Sequence, residues 1–200
     1  MFKKLDYNIP GRPKKPWTRK KEDHMVNFGG VAVNEACVNF IKSIISPGST
    51  ILELGSGPGS TVALSEDYKL YSVENQPEWF DVFPVCTTYI NCRTRFYDDQ
   101  YTAPDLPNQH GWYEPDDIFP NLPSTYDLIL IDGPGGGTYG RGGFLKHIEK
   151  FNTNVPMIFD DVHVEDKGLA LMKKVSEYVG REYKILETDT TGQTGYILTS

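Results

Sequence analysis

Hydrophobic positions along this chain change period in the manner of alternating helices and strands. Met25 to Ile45 places Val31, Ala32, Ala36, Val38, Phe40, Ile41 and Ile44 at helical spacing, and Pro47-Gly48 closes the run. Apolar runs then predict strands at about 50–54 and 69–74, with a helix at about 59–67 between them. Pro77 suits the first position of a helix reaching about 83, and a further strand falls within 88–96. Tyr97 to Pro123 is rich in Pro, Asp, Asn and Tyr and has little period; a stretch of that length inside a domain is usually functional. YDLILID (126–132) is almost continuously apolar, as a strand covered on both faces must be. A helix at about 141–151, a strand at 156–160, a helix at about 164–179 and strands at 183–189 and 195–200 complete the series. The last two strands are joined too tightly for a crossover helix, so they are expected to be antiparallel. No internal repeat is present. The alternation predicts an α/β domain built on a mostly parallel sheet.

Two hundred residues suit one domain with a sizeable core. Hydrophobic residues make up 38% of the chain, yet no apolar run approaches the roughly 18 residues of a membrane-spanning helix. The basic N-terminus lacks an apolar segment and a small-residue cleavage site, so it does not read as a signal peptide. Cys37, Cys86 and Cys92 have neither CxxC nor Cys/His metal spacing, which suits free thiols in a reducing compartment and a cytoplasmic location. Charge divides the chain into a basic arm, 1–24, and a globular part, 25–200. Residues 1–21 carry a net +7 and the remainder −14. An arm of that sign is suited to steering nucleic acid, although a solvated tail is the favoured expectation. The sequence leaves the oligomeric state open.

The candidate chemistry begins at TILELGSGPGS (50–60), where an apolar run breaks into Gly55, Gly57 and Gly59. A buried strand that turns on glycines into a helix brings bare backbone close to a ligand. Glu74 closes the next apolar run nineteen residues after Gly55, the distance at which a carboxylate reaches ribose hydroxyls. A hydride-transfer site wants G-x-G-x-x-G, but the third glycine would fall at Ser60 or Val62. The pattern that fits is E-x-G-x-G-x-G, formed by Glu53, Gly55, Gly57 and Gly59.

This pattern resembles motif I of class I S-adenosylmethionine (SAM) dependent methyltransferases. The resemblance covers about residues 25–200. It implies a Rossmann-like three-layer α-β-α sandwich whose seven-stranded, mostly parallel sheet has an antiparallel last strand. It also implies SAM as cofactor, with Glu53, Gly55, Gly57, Gly59, Glu74 and Asp132 lining its site. SAM carries a cationic sulfonium and no pyrophosphate, so a carboxylate beside the turn is compatible with it.

Two strand exits extend the likeness. Ile131-Asp132-Gly133-Pro134 followed by Arg141 is similar to the DGP segment of plant glucuronoxylan O-methyltransferases. It departs from the Asp/Asn-Pro-Pro-aromatic of adenine N6 methyltransferases. Asp160-Asp161-Val162-His163 follows the strand at 156–160. Metal-dependent O-methyltransferases of the catechol and macrolide type place one Asp and then an Asp-Asp or Asp-Asn pair at these exits. By that resemblance Asp132, Asp160 and Asp161 are metal ligands suited to Mg²⁺. Those enzymes carry a lysine base where this chain has Gly133, Pro134 and Gly135. Asp132 and His163 are therefore the candidate catalytic residues, an imidazole being a competent base near neutrality. The plainer alternative is that the two acids cap the following helix. The function expected is O-methylation of a small or sugar-like acceptor, without membrane involvement. Alternatives are RNA methylation guided by the arm, aminopropyl transfer of the spermidine synthase type, and a scaffold without activity. Trp112 and Tyr113, with Tyr97, Tyr101 and His110, are suited either to a lid over the acceptor or to a self-packed surface loop.

Overall fold

The first helix begins at Glu35, ten residues later than its apolar spacing suggests. In the computed structural model, which describes residues 26, 28, 32–76, 79, 87–96, 106, 111–135, 140–163, 168–186 and 194–199, α1 runs over Glu35–Ile44. Asn34 has extended backbone, and its Oδ1 accepts from the Cys37 N–H at 2.7 Å, capping the helix. The chain continues with β1 (Thr50–Leu54), α2 (Ser60–Ser65), β2 (Lys69–Glu74), β3 (Thr87–Asn91), β4 (Thr94–Phe96) and β5 (Gly111–Tyr113). It then forms α3 (Pro115–Ile118), β6 (Leu128–Ile131), α4 (Gly143–Lys146), β7 (Met157–Phe159), α5 (Ala170–Val179), β8 (Tyr183–Ile185) and β9 (Gly195–Ile197).

Seven strands form one sheet in the order β3-β2-β1-β6-β7-β9-β8. The first five are parallel, and β9 runs antiparallel to both β7 and β8. This is the Rossmann-like arrangement with an antiparallel last strand. The chain moves outward from β1 to β3 and returns beside β1 as β6, so the order reverses between β1 and β6. Ligands of open α/β sheets lie beyond the carboxyl ends at such a reversal. Leu54 pairs with Ile131, and Ile131 with Phe159, so Gly55, Asp132 and Asp160 leave the sheet side by side.

The central strands are apolar on both faces because both are covered. Ile51, Leu128, Leu130 and Ile158 pack beneath α1 and α2, against Val38, Ile41 and Leu64. Leu52, Leu54, Ile129, Ile131 and Phe159 face the opposite way, against Trp112, Phe144 and the Leu171, Met172 and Val175 side of α5. Alternation along each strand thus makes the three layers.

Several boundaries differ from the sequence reading. The strand within 88–96 divides: β4 leaves the main sheet and pairs antiparallel with β5. The helix at 141–151 becomes the short α4 followed by a tight turn of helix at Ile148–Lys150. Only Trp79 of the helix expected at 77–83 lies within the described residues. Trp112 and Tyr113 do not line a lid; both are fully buried. The Trp112 ring stacks on His147, with centroids 5.5 Å apart, and packs against Gly143. Tyr97, Tyr101 and His110 lie outside the described residues, as does the basic arm. Among the described residues, no helix is long and apolar enough to cross a membrane.

Candidate functional site

Gly55 leaves β1 with φ +97°, a conformation that costs a side-chain-bearing residue strain. Its N–H donates to the Val73 carbonyl at 2.9 Å, which stitches the turn to β2. Among the described residues, nothing lies within 4 Å of a Cβ at Gly57, so that side of the turn is open to a ligand. Gly59 caps α2.

Beneath the turn sits Glu53, which has no exposed surface. Its Oε1 accepts from Ser60 Oγ at 2.6 Å, and its Oε2 accepts from Thr61 Oγ1 at 2.8 Å and Ser72 Oγ at 2.5 Å. The Thr61 hydroxyl in turn accepts from the Gly57 N–H at 2.9 Å. One carboxylate thereby ties β1, β2, α2 and the glycine turn together. Glu53, expected at the cofactor site, has no open surface and supports the turn from below. Burial also raises its carboxyl to about 7, with the three hydroxyls opposing that rise.

Glu74 stands at the end of β2, almost fully buried. Oε1 accepts from the N–H groups of Asn75 and Gln76 at 2.7 and 2.6 Å. Oε2 accepts from Ser56 N–H at 2.9 Å and Ser56 Oγ at 3.0 Å. Burial pushes this carboxyl up, and the backbone donors pull it back. The Ser56 hydroxyl has a second acceptor in the Trp79 carbonyl at 3.2 Å, so a ligand hydroxyl can take its place on Glu74. Beside Glu74, Asn75 Oδ1 is a buried acceptor without a donor among the described residues. An open glycine turn, an exchangeable hydroxyl on a carboxylate and an orphaned acceptor together fit a nucleoside-bearing ligand.

The acids of the next two exits converge as the sequence implies. Ligand oxygens of Asp132, Asp160 and Asp161 lie within 4.8 Å of one another. Arg141 reaches into this group from beyond β6. One terminal nitrogen donates to Asp132 Oδ1 at 3.0 Å and Asp161 Oδ2 at 2.6 Å, and the other donates to the Asp160 carbonyl at 2.7 Å. Asp161 is the single described non-glycine residue with positive φ, at 57°. A Cβ on Gly168 would lie 2.6 Å from the Asp161 carbonyl oxygen and 2.8 Å from that of Asp160, so the glycine lets α5 close on the pair. Burial pushes the Asp160 carboxyl up, with the Arg141 charge opposing. Burial, then the neighbouring Asp160 charge, holds Asp132 well above the usual carboxylate range, with Arg141 opposing. His163 is exposed in the turn after Asp161, and no hydrogen bond among the described residues ties it to the cluster.

Two contributors were not legible as such in the sequence. Arg141 stands out in the sequence as the arginine downstream of the Asp132 exit, but nothing in that spacing places it among the three acids. Tyr113, buried beside the crevice, donates from its hydroxyl to the Val73 carbonyl at 3.3 Å and abuts Gly133. Nothing short of the fold brings it there.

Solved structures share this architecture. Precorrin 8w decarboxylase of Methanobacterium thermoautotrophicum superposes with a TM-score of 0.53 at 14% identity, over 89% of this chain and 97% of that one. A TehB-like SAM-dependent methyltransferase of Corynebacterium glutamicum gives 0.49 at 12% identity, over 84% and 90%. The C-terminal domain of precorrin-6Y C5,15-methyltransferase from Rhodobacter capsulatus gives 0.49 at 10% identity, over 89% and 95%. No protein-family profile matches the chain, and neither does any curated protein. At these identities the likeness is one of fold. Two of these neighbours are named as methyltransferases, one of them as SAM-dependent.

Proposed function

We propose that this protein is a SAM-dependent methyltransferase acting on an oxygen of a small or sugar-like acceptor. One observation carries the reading: the open glycine turn is joined through Ser56 to Glu74 at the β1/β6 reversal. SAM would lie along Gly55–Gly59, with its ribose hydroxyls on Glu74 in exchange for the Ser56 hydroxyl. Its charge suits the surroundings, because Glu74 and the Asp132 cluster are acidic where a diphosphate would be repelled.

When bound, SAM supplies an electrophilic methyl carbon. The chain's residues align an acceptor hydroxyl against it, which is the main contribution to such a displacement. The methyl would pass to an acceptor oxygen, leaving S-adenosylhomocysteine, so a residue of the chain must take up the hydroxyl proton. Asp132 would take up that proton, because it leaves β6 directly beside the glycine turn where the cofactor would lie. His163, exposed and outside the cluster, is the weaker candidate. The +7 arm supports RNA as a second acceptor class.

Calorimetry with S-adenosylhomocysteine and NAD, followed by transfer of labelled methyl from SAM to hydroxyl acceptors, tests the reading. S-adenosylhomocysteine should bind and NAD should not. Binding of NAD alone would end the proposal.

A further inference from the structure

We infer that Arg141 takes the position of a divalent cation at the strand exits, closing Asp132, Asp160 and Asp161 into a metal-free clamp. Three acids with converging oxygens suit Mg²⁺ or Mn²⁺ in number and type. The arrangement of their partners does not. The Arg141 guanidinium spans the same groups a cation would bridge, at 3.0 Å from Asp132, 2.6 Å from Asp161 and 2.7 Å from the Asp160 carbonyl. It is 13% exposed, so solvent does little to screen it from a second cation. The clamp is built from both sides: Gly168 lets α5 press on the Asp160 and Asp161 carbonyls, and Asp161 holds its left-handed backbone there.

Arg141 is thus a positioning residue. It links the β6 and β7 exits and holds the Asp132 carboxyl in place. On the methyltransferase reading it follows that the acceptor needs one hydroxyl, not two oxygens placed to chelate a metal.

Mn²⁺ titration followed by electron paramagnetic resonance tests this on the full chain after chelator treatment and dialysis. The six-line signal of free Mn²⁺ should persist with wild type to millimolar concentration. Arg141→Met and Arg141→Gln should bind one Mn²⁺ per chain at least tenfold more tightly than wild type, and adding Asp161→Asn should abolish that gain. Micromolar Mn²⁺ binding by wild type, lost in Asp161→Asn, would overturn the inference. So would folded Arg141 variants that gain no Mn²⁺. If neither variant folds while wild type leaves Mn²⁺ free, the clamp is supported as part of the structure. S-adenosylhomocysteine calorimetry on the same samples reports separately on the cofactor reading.

Discussion

The backbones of Gly55 and Gly133 touch at the exits of two neighbouring strands. A Cβ on Gly55 would lie 2.8 Å from the Gly133 nitrogen, and one on Gly133 would lie 2.7 Å from the Gly55 Cα. The contact fixes the floor of the crevice. Gly133→Ala must part the two turns or push the Tyr113 hydroxyl aside, at a cost of about 1–3 kcal/mol. Urea unfolding measures it, and wild-type stability in that variant would mean the turns are free to separate.

Gly57 makes the opposite case. No described residue lies within 4 Å of its Cβ position, so Gly57→Ala should change stability by no more than about 0.5 kcal/mol. The same methyl would stand in the space assigned to the cofactor. Affinity for S-adenosylhomocysteine should fall about tenfold, close to 1.4 kcal/mol by calorimetry. Unchanged affinity would move the ligand off the turn.

Glu74→Ala removes the acceptor of Ser56, Asn75 and Gln76 together. Cofactor binding should weaken by roughly 1.5–3 kcal/mol, the scale of a charge-assisted hydrogen bond. Retention of full affinity would exclude Glu74 from the ribose site.

Glu53 gives a pH signature. Its carboxyl rises from an ordinary 4.5 to about 7 on folding, so the folded state keeps a proton that the unfolded chain has released. This contribution to stability is complete below about pH 4.5 and is lost as pH climbs to about 7. Its slope is at most about 1.4 kcal/mol per pH unit. Glu53→Gln should flatten the melting temperature across that window relative to wild type. An identical pH profile would show that Glu53 is ionised throughout.

The basic arm separates the two acceptor classes. Deleting residues 1–15 should leave methylation of a small acceptor intact. RNA binding that weakens steeply with salt and disappears with the deletion would favour the nucleic-acid acceptor instead.

Strand-level information was legible because it is local. Ile51 and Leu52, adjacent in sequence, report that both faces of β1 are covered, and the turn after Leu54 declares itself by glycine spacing. The start of α1 was also present, as Asn34 ahead of Glu35, but the apolar spacing upstream obscured it. Composition alone misdirected the reading of Trp112 and Tyr113. Aromatic residues in a polar stretch reveal no burial, and their partners Gly143, His147 and Gly133 come from distant segments. The convergence of Asp132, Asp160 and Asp161 followed from strand register. The guanidinium among them did not, because a long side chain beyond a glycine run has no period to place it.

The burial of Trp112 sets how this domain comes apart. The β4–β5 ribbon sends its largest side chain into the same core as Leu52, Ile129 and Phe159, so the ribbon has no apolar interior of its own. An appendage with a separate core would melt as a separate step, whereas elements sharing one core lose their packing together. The β4–β5 ribbon is therefore a cooperative partner of the sheet. Unfolding followed at Trp112 and at the central strands should trace a single curve.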